Sequence, residues 1–218
     1  MSRTVSDISN KATYKTVKKY ARTTMIEKKS KFIASVSPAA TEEEALEFLK
    51  TVRSEYPDAT HNVYAYIIDE NNIFRYSDDG EPGGTAGMPV LDTIRKEGLV
   101  DVCVVVTRYF GGTLLGTGGL VHAYGASAKQ GINEAKIIKR ELCNVVSVVV
   151  DYSLVGKMQH TIASDNMILE DTIYGNDVTF YVCCPLLDTE KFINKITDIT
   201  NAKAVCNVIE QKYTDIED

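Results

Sequence analysis

Apolar and polar positions alternate with period two in several stretches and with helical spacing in others, and the two kinds of stretch follow one another in a readable order. ARTTMIEKK and KFIASVS, at residues 21–29 and 31–37, read as two strands turning at Lys29-Ser30. Thr41 followed by Glu44 is a capping box, and it predicts a helix with Ala45, Leu46, Phe48, Leu49 and Val52 on one side, ending before Pro57. HNVYAYII at residues 61–68 is rich in β-branched and aromatic residues and predicts a buried strand, with a shorter neighbour at residues 73–76. Residues 89–96 return to helical spacing and stop at Gly98. Residues 102–106 form the most apolar strand in the chain, and a helix over residues 120–135 follows. The order is β-β-α-β-β-α-β-α, an α+β domain of about 120 residues.

From Glu141 the pattern begins again. A strand at residues 144–151 leads to a helix around 157–166, then to strands at 169–174 and 178–183 that meet at Gly175-Asn176, a hairpin signal. Asp188 is placed to cap a helix whose Phe192, Ile193, Ile196 and Ile199 share a face, and a last strand spans 204–210. This β-α-β-β-α-β sequence is the split, ferredoxin-like order. The expected division is residues 1–139 and residues 140–218, joined directly near Lys139 with no low-complexity linker.

Composition narrows the class without naming a function. The 218 residues are 44% hydrophobic and 25% charged, ordinary values for a globular protein. No run reaches the roughly 18 apolar residues that span a bilayer, and the first residues lack the apolar stretch of a secretory signal, so a cytoplasmic protein is expected. Five cysteines without a C-x-x-C pattern, beside three scattered histidines, read as buried free thiols, and no metal or cofactor is expected. The net charge of −6 argues against a general nucleic-acid binder, but it is unevenly spread. Residues 1–31 carry nine Lys or Arg against two acids, whereas residues 140–218 carry six against thirteen. A basic arm of that kind suits phosphates or acidic protein surfaces, or is simply a solvated face.

Twelve of the fourteen glycines lie between Gly80 and Gly131, a density that needs a physical cause. Nine of the twelve fall in two loops, Ser77 to Gly87 and Arg108 to Gly119, each running from a strand into a helix. Three readings stay open: a phosphate cradle at the helix N-termini, tight turns and close helix packing, or a macromolecular contact surface. A Walker pattern is absent and a dinucleotide fingerprint is poorly placed. Arg108 either staples the loops by pairing with Asp78, Asp79 or Glu81, or reads a phosphate. Tyr109 is a candidate for stacking on a base, and Phe110 is the expected core residue. Neighbouring carboxylates at 78, 79 and 81 are solvated or bonded to loop amides more often than they hold a cation. His61 with one of those acids is the only plausible acid/base pair, and no nucleophile elbow is present, so no catalytic residue is assigned.

The strings VVVTRYFGGTLLGTGGLVHAYG, YSDDGEPGGTAGMPVL and ATHNVYAYII, with the lead-in KKSKFIA, resemble the IMPACT/YigZ family along essentially the whole chain. The resemblance implies an N-terminal domain with a fold of ribosomal-protein and elongation-factor domains. It also implies a ferredoxin-like C-terminal domain similar to the last domain of elongation factor G. Eukaryotic relatives regulate translation by competing for an activator of an initiation-factor kinase. The function carried over is translation regulation through contact with RNA, the ribosome or a translation-associated protein, and the alternative is a small-molecule enzyme or nucleotide/phosphate-binding protein. On the matching positions the implied binding residues are His61, Asp78, Asp79, Gly80, Glu81, Pro82, Gly84, Thr85, Arg108, Tyr109, Gly111, Gly112, Gly116, Gly119 and Tyr124. His122 stands in a variable slot of the motif.

Overall fold

The apolar run that includes Val104, Val105 and Val106 becomes the central strand β6 (Val102–Tyr109) of an antiparallel five-stranded sheet. The structure, a computed structural model, describes residues 12–216, and these divide into two compact units, Tyr14–Lys139 and Arg140–Ile216. Strand β1 (Thr13–Val17) straddles the boundary of the units and is not part of the first unit's sheet, which is formed by β2 (Ala21–Glu27), β3 (Ser30–Pro38), β4 (His61–Ile68), β5 (Ile73–Ser77) and β6 in the order β2-β3-β6-β4-β5. Helices α2 (Gly87–Lys96) and α3 (Thr117–Ala135) cover one face, where Phe32, Val63, Val104 and Val106 meet Val90, Leu91, Tyr124 and Ile132. The other face packs Tyr66, Cys103 and Val105 on α1 (Glu42–Glu55). Period-two alternation along β6 explains the two-sided core, because successive side chains point to opposite faces.

Each expected element of this unit is present, with shifts at its ends. The β2–β3 turn sits at Lys28-Lys29, one residue earlier than expected, because Glu27 pairs with Ser30. Thr41 caps α1 by accepting from the Glu44 amide at 3.2 Å, while the Glu44 carboxylate accepts from the Ala40 amide at 2.7 Å. Ala45, Leu49 and Val52 are buried, but Leu46 is 49% exposed and lies off the expected face. The polar start of the chain hides a strand: Thr13–Val17 carries too few apolar residues to show alternation, yet Val17 is buried in the core and Lys15 bridges Leu99. Residues 1–11, with Arg3 and Lys11 of the basic arm, lie outside the described residues.

The second unit contains α4 (Val155–Ser164), α5 (Thr189–Ile199) and the strands β7 (Ile137–Val150), β8 (Ile168–Tyr174), β9 (Val178–Pro185) and β10 (Val205–Ile216). β7 lies between β10 and β9, and β8 pairs with the far side of β9. Both helices pack on one face, against Val146, Val148, Phe180 and Val182. Strands β7 and β10 are longer than their apolar runs suggest. The β8–β9 connection has three residues, with the Gly175 amide donating to the Asp177 carbonyl. Asp188 makes no capping bond, because it sits in helical backbone inside a short 3-10 turn that leads into α5.

All five cysteines are free thiols, four of them buried. Burial alone pushes the Cys103 thiol far above its usual range. Cys183 is held below its usual range by its contacts with the Cys143 thiol and the Thr214 hydroxyl, and Cys143 is raised in turn.

Candidate functional site

The first glycine loop is closed by its own carboxylates. Asp78 Oδ1 accepts from the amides of Ala86 and Gly87 at 3.0 and 2.8 Å, and Oδ2 accepts from the Gly84 amide at 2.9 Å. The first turn of α2 therefore already has its anion, and the expected anion site there is filled from within the chain. Asp79 ties the loop to β4 and α1: Oδ2 accepts from the Asn62 amide at 2.6 Å and Oδ1 from Arg53 at 2.9 Å. Thr85 donates to the Pro82 carbonyl at 2.7 Å, and Gly80 and Gly84 take positive φ. Asp78→Ala is expected to strip three amides of their acceptor and to cost about 2 kcal/mol, measured as a lowered urea midpoint; a change below about 0.5 kcal/mol would contradict this role.

Glu81 is the centre of a buried network. Arg108 Nη1 donates to Glu81 Oε1 at 2.5 Å and Tyr124 donates its hydroxyl to the same oxygen at 2.8 Å. The second guanidinium nitrogen reaches Ser30 Oγ at 3.2 Å, and the guanidinium carbon lies 5.5 Å from the ring centroids of both Phe32 and Phe110. Arg108 is only 5% exposed. It is a staple between the loops, and Glu81 is the acid it selects. Burial, with Glu81 beside it, pushes the Tyr124 phenol far above its usual range, so the hydroxyl remains a donor. His61 Nδ1 lies 2.7 Å from the Asp79 carbonyl, which can only accept, so that nitrogen carries a proton; Nε2 is 3.7 Å from Glu81 Oε1, beyond hydrogen-bond reach.

Above this network opens a pocket of ≈ 430 Å³. His61, Glu81 and Arg108, with Thr60 and Thr117, form its polar side, and Pro82, Phe110, Leu114, Leu115 and Leu120 form its apolar side. Gly116, with φ 77°, starts α3 at the pocket edge, and Gly112 also takes positive φ. Gly119 packs on Leu115, and Gly111 packs on the backbone of Lys29. Leu114 is 84% exposed at the mouth.

The structure thus brings His61, Glu81, Pro82, Arg108, Gly116 and, through Glu81, Tyr124 to one place. Asp78, Asp79, Gly80, Gly84 and Thr85 form the frame of the first loop, and Gly111, Gly112 and Gly119 that of the second. Tyr109 does not join them. It is the last residue of β6, and alternation sends it to the opposite face from Arg108, where its hydroxyl donates to Asp58 at 2.8 Å and Lys31 lies over its ring. Phe110, expected in the core, lies beyond the strand and stands half-exposed at the pocket mouth. Sequence reasoning also missed Ser30, whose hydroxyl joins Arg108 to the Gly111 amide, and the leucines at 114 and 115, which form no periodic run. His122 is exposed on α3. Among the described residues, no group of three or more His, Cys, Asp or Glu is placed to hold a metal ion.

These features define a two-unit α+β protein whose first unit carries a preformed pocket, framed by two self-braced glycine loops and open to an apolar rim. Residues 28–132 match the Impact N-terminal domain family, and residues 148–203 match a domain of unknown function, DUF1949. The chain is 39% identical over 192 residues to the IMPACT family member YvyE of Bacillus subtilis, covering 88% of each chain. It is 31% identical over 187 residues to the IMPACT family member YigZ of Escherichia coli, covering 84% of this chain and 92% of that one. A crystal structure of a hypothetical protein superposes with a TM-score of 0.59 at 28% identity, over 92% of this chain and 98% of its own. The chain belongs to the IMPACT family. No helix among the described residues is long and apolar enough to cross a membrane.

Proposed function

We propose that this protein is a translation regulator of the binding kind, and that its first unit captures a protein partner of the translation apparatus by seating an apolar side chain in the pocket between the glycine loops. The carrying observation is the pocket itself: a polar base in which Glu81 already pairs with Arg108, under a mouth of Phe110, Leu114, Leu115 and Leu120. A large apolar residue such as Leu114, left 84% exposed on a braced loop, is a feature of contact surfaces. An apolar lining favours protein over RNA, and so does the diversion of Tyr109 to the other face. The implied likeness of both units to ribosomal-protein and elongation-factor domains points the same way. Charge balance at the base also speaks against acid/base chemistry, since the Glu81 oxygen nearest His61 is occupied by Arg108 and Tyr124.

A cell-free translation reaction tests this reading. Adding the protein is expected to change the yield of product, and Leu114→Glu is expected to remove most of that effect while the melting temperature stays within about 2 °C, since the residue is exposed. No effect of the unaltered protein, or full effect of the variant, would overturn it. The pocket volume also falls in the small-molecule range, which supports a second reading. A metabolite bound at 100 times its dissociation constant would stabilise the protein by about 2.7 kcal/mol in a thermal-shift screen.

A further inference from the structure

The β2–β3 hairpin turns on Lys28 and Lys29, with φ of 45° and 68°, and Glu27 pairs with Ser30 across it. A two-residue turn with both φ positive is the type I′ geometry, which favours Asn-Gly and disfavours lysine at both places. The turn is fixed against the second glycine loop. A Cβ on Gly111 would lie 2.0 Å from the carbonyl carbon and oxygen of Lys29, and Ser30 Oγ accepts from the Gly111 amide at 3.2 Å. Gly111 follows Phe110, a wall of the pocket. The backbone of the two-lysine turn is therefore held against the loop that carries the apolar mouth; both lysines are exposed, and neither pairs with a carboxylate among the described residues. Among the described residues the only acid lining the pocket is Glu81, which is buried and paired with Arg108, and the first turn of α3 carries none. On a chain of net charge −6, this edge is locally positive.

We infer that the pocket and the lysine turn together recognise an acidic protein segment carrying one large apolar residue: the apolar side chain enters the pocket and flanking carboxylates face Lys28 and Lys29. Charge complementarity supplies the choice of partner, since a positive rim around an apolar pocket speeds and selects acidic segments and repels basic ones. The inference rests on the protein-partner reading proposed above and adds the partner's chemistry.

The test is fluorescence anisotropy with the full chain and labelled twelve-residue peptides: one leucine flanked by glutamates, the same peptide with alanine for leucine, a serine-flanked version and a lysine-flanked version. The acidic leucine peptide is expected to bind best, the alanine peptide about tenfold more weakly, and the lysine-flanked peptide weakest, with affinity falling as salt rises. The pair Lys28→Asn with Lys29→Gly removes both charges while suiting the turn better, so it tests charge without threatening the fold; about a tenfold loss for the acidic peptide and no change for the serine-flanked one is expected. Equal binding of the leucine peptides whatever their flanks, an unchanged affinity in the double variant, or displacement of the peptide by oligouridylate at equal affinity would overturn the inference and leave pocket binding standing. Failure of every leucine peptide to bind would bring down both.

Discussion

Arg108→Met is expected to destabilise the first unit by about 3–5 kcal/mol, because it leaves the Glu81 carboxylate buried beside Tyr124 without its cation. Native-state hydrogen exchange of the β6 amides reports on this unit alone and checks the figure. Glu81→Leu combined with Arg108→Met should recover much of the loss, since a pair of apolar residues in a well-packed site costs less than one unpaired charge. If Arg108 acted by reading a phosphate, the single variant would instead keep its stability and lose only binding. A shift below about 0.5 kcal/mol would therefore return Arg108 to recognition.

Gly111→Ala is expected to cost about 3 kcal/mol or more, because its Cβ would meet the Lys29 backbone at 2.0 Å and backbone cannot rotate away as a side chain can. Neighbouring Gly112 is the instructive control. It takes φ of 81° but has nothing within 4 Å of a built Cβ, so Gly112→Ala should cost only about 1 kcal/mol. The ranking comes from crowding, and it reverses what backbone conformation alone would suggest. Urea midpoints of the two variants decide it, and an equal or inverted ranking would contradict the docking of the β2–β3 turn on this loop.

Most of the fold was legible because its strands and helices announce themselves by period. β4 and β6 are β-branched and aromatic, and the capping box at Thr41 marks the start of α1. Strand β1 was not legible, since a strand buried through little more than Tyr14, Thr16 and Val17 has no apolar alternation to read. The site was half legible. Glycine density and the acid-rich first loop located it, and the resemblance selected its residues. Sequence could not decide among Asp78, Asp79 and Glu81 as the partner of Arg108, because that choice depends on how far the first loop folds back over the sheet. Nor could it separate Tyr109 from Phe110: one obeys the alternation of β6, and the other is released by the end of the strand. Ser30 gave no signal, as a serine at a turn is usually solvent-facing, whereas here it is fully buried and holds two loops together.

The bonds that brace the site differ widely in the length of chain they close. Asp78 reaches amides six, eight and nine residues away, Arg108 meets Glu81 across 27 residues, and Ser30 meets Arg108 across 78. Closing entropy grows with that separation, so the first loop can take its shape as a local event while the second waits for distant strands to pair. By this measure the pocket is completed only once β3 has paired with β6. A chain that has paired β3 with β6 but not yet seated Arg108 already has a sheet and has no finished pocket.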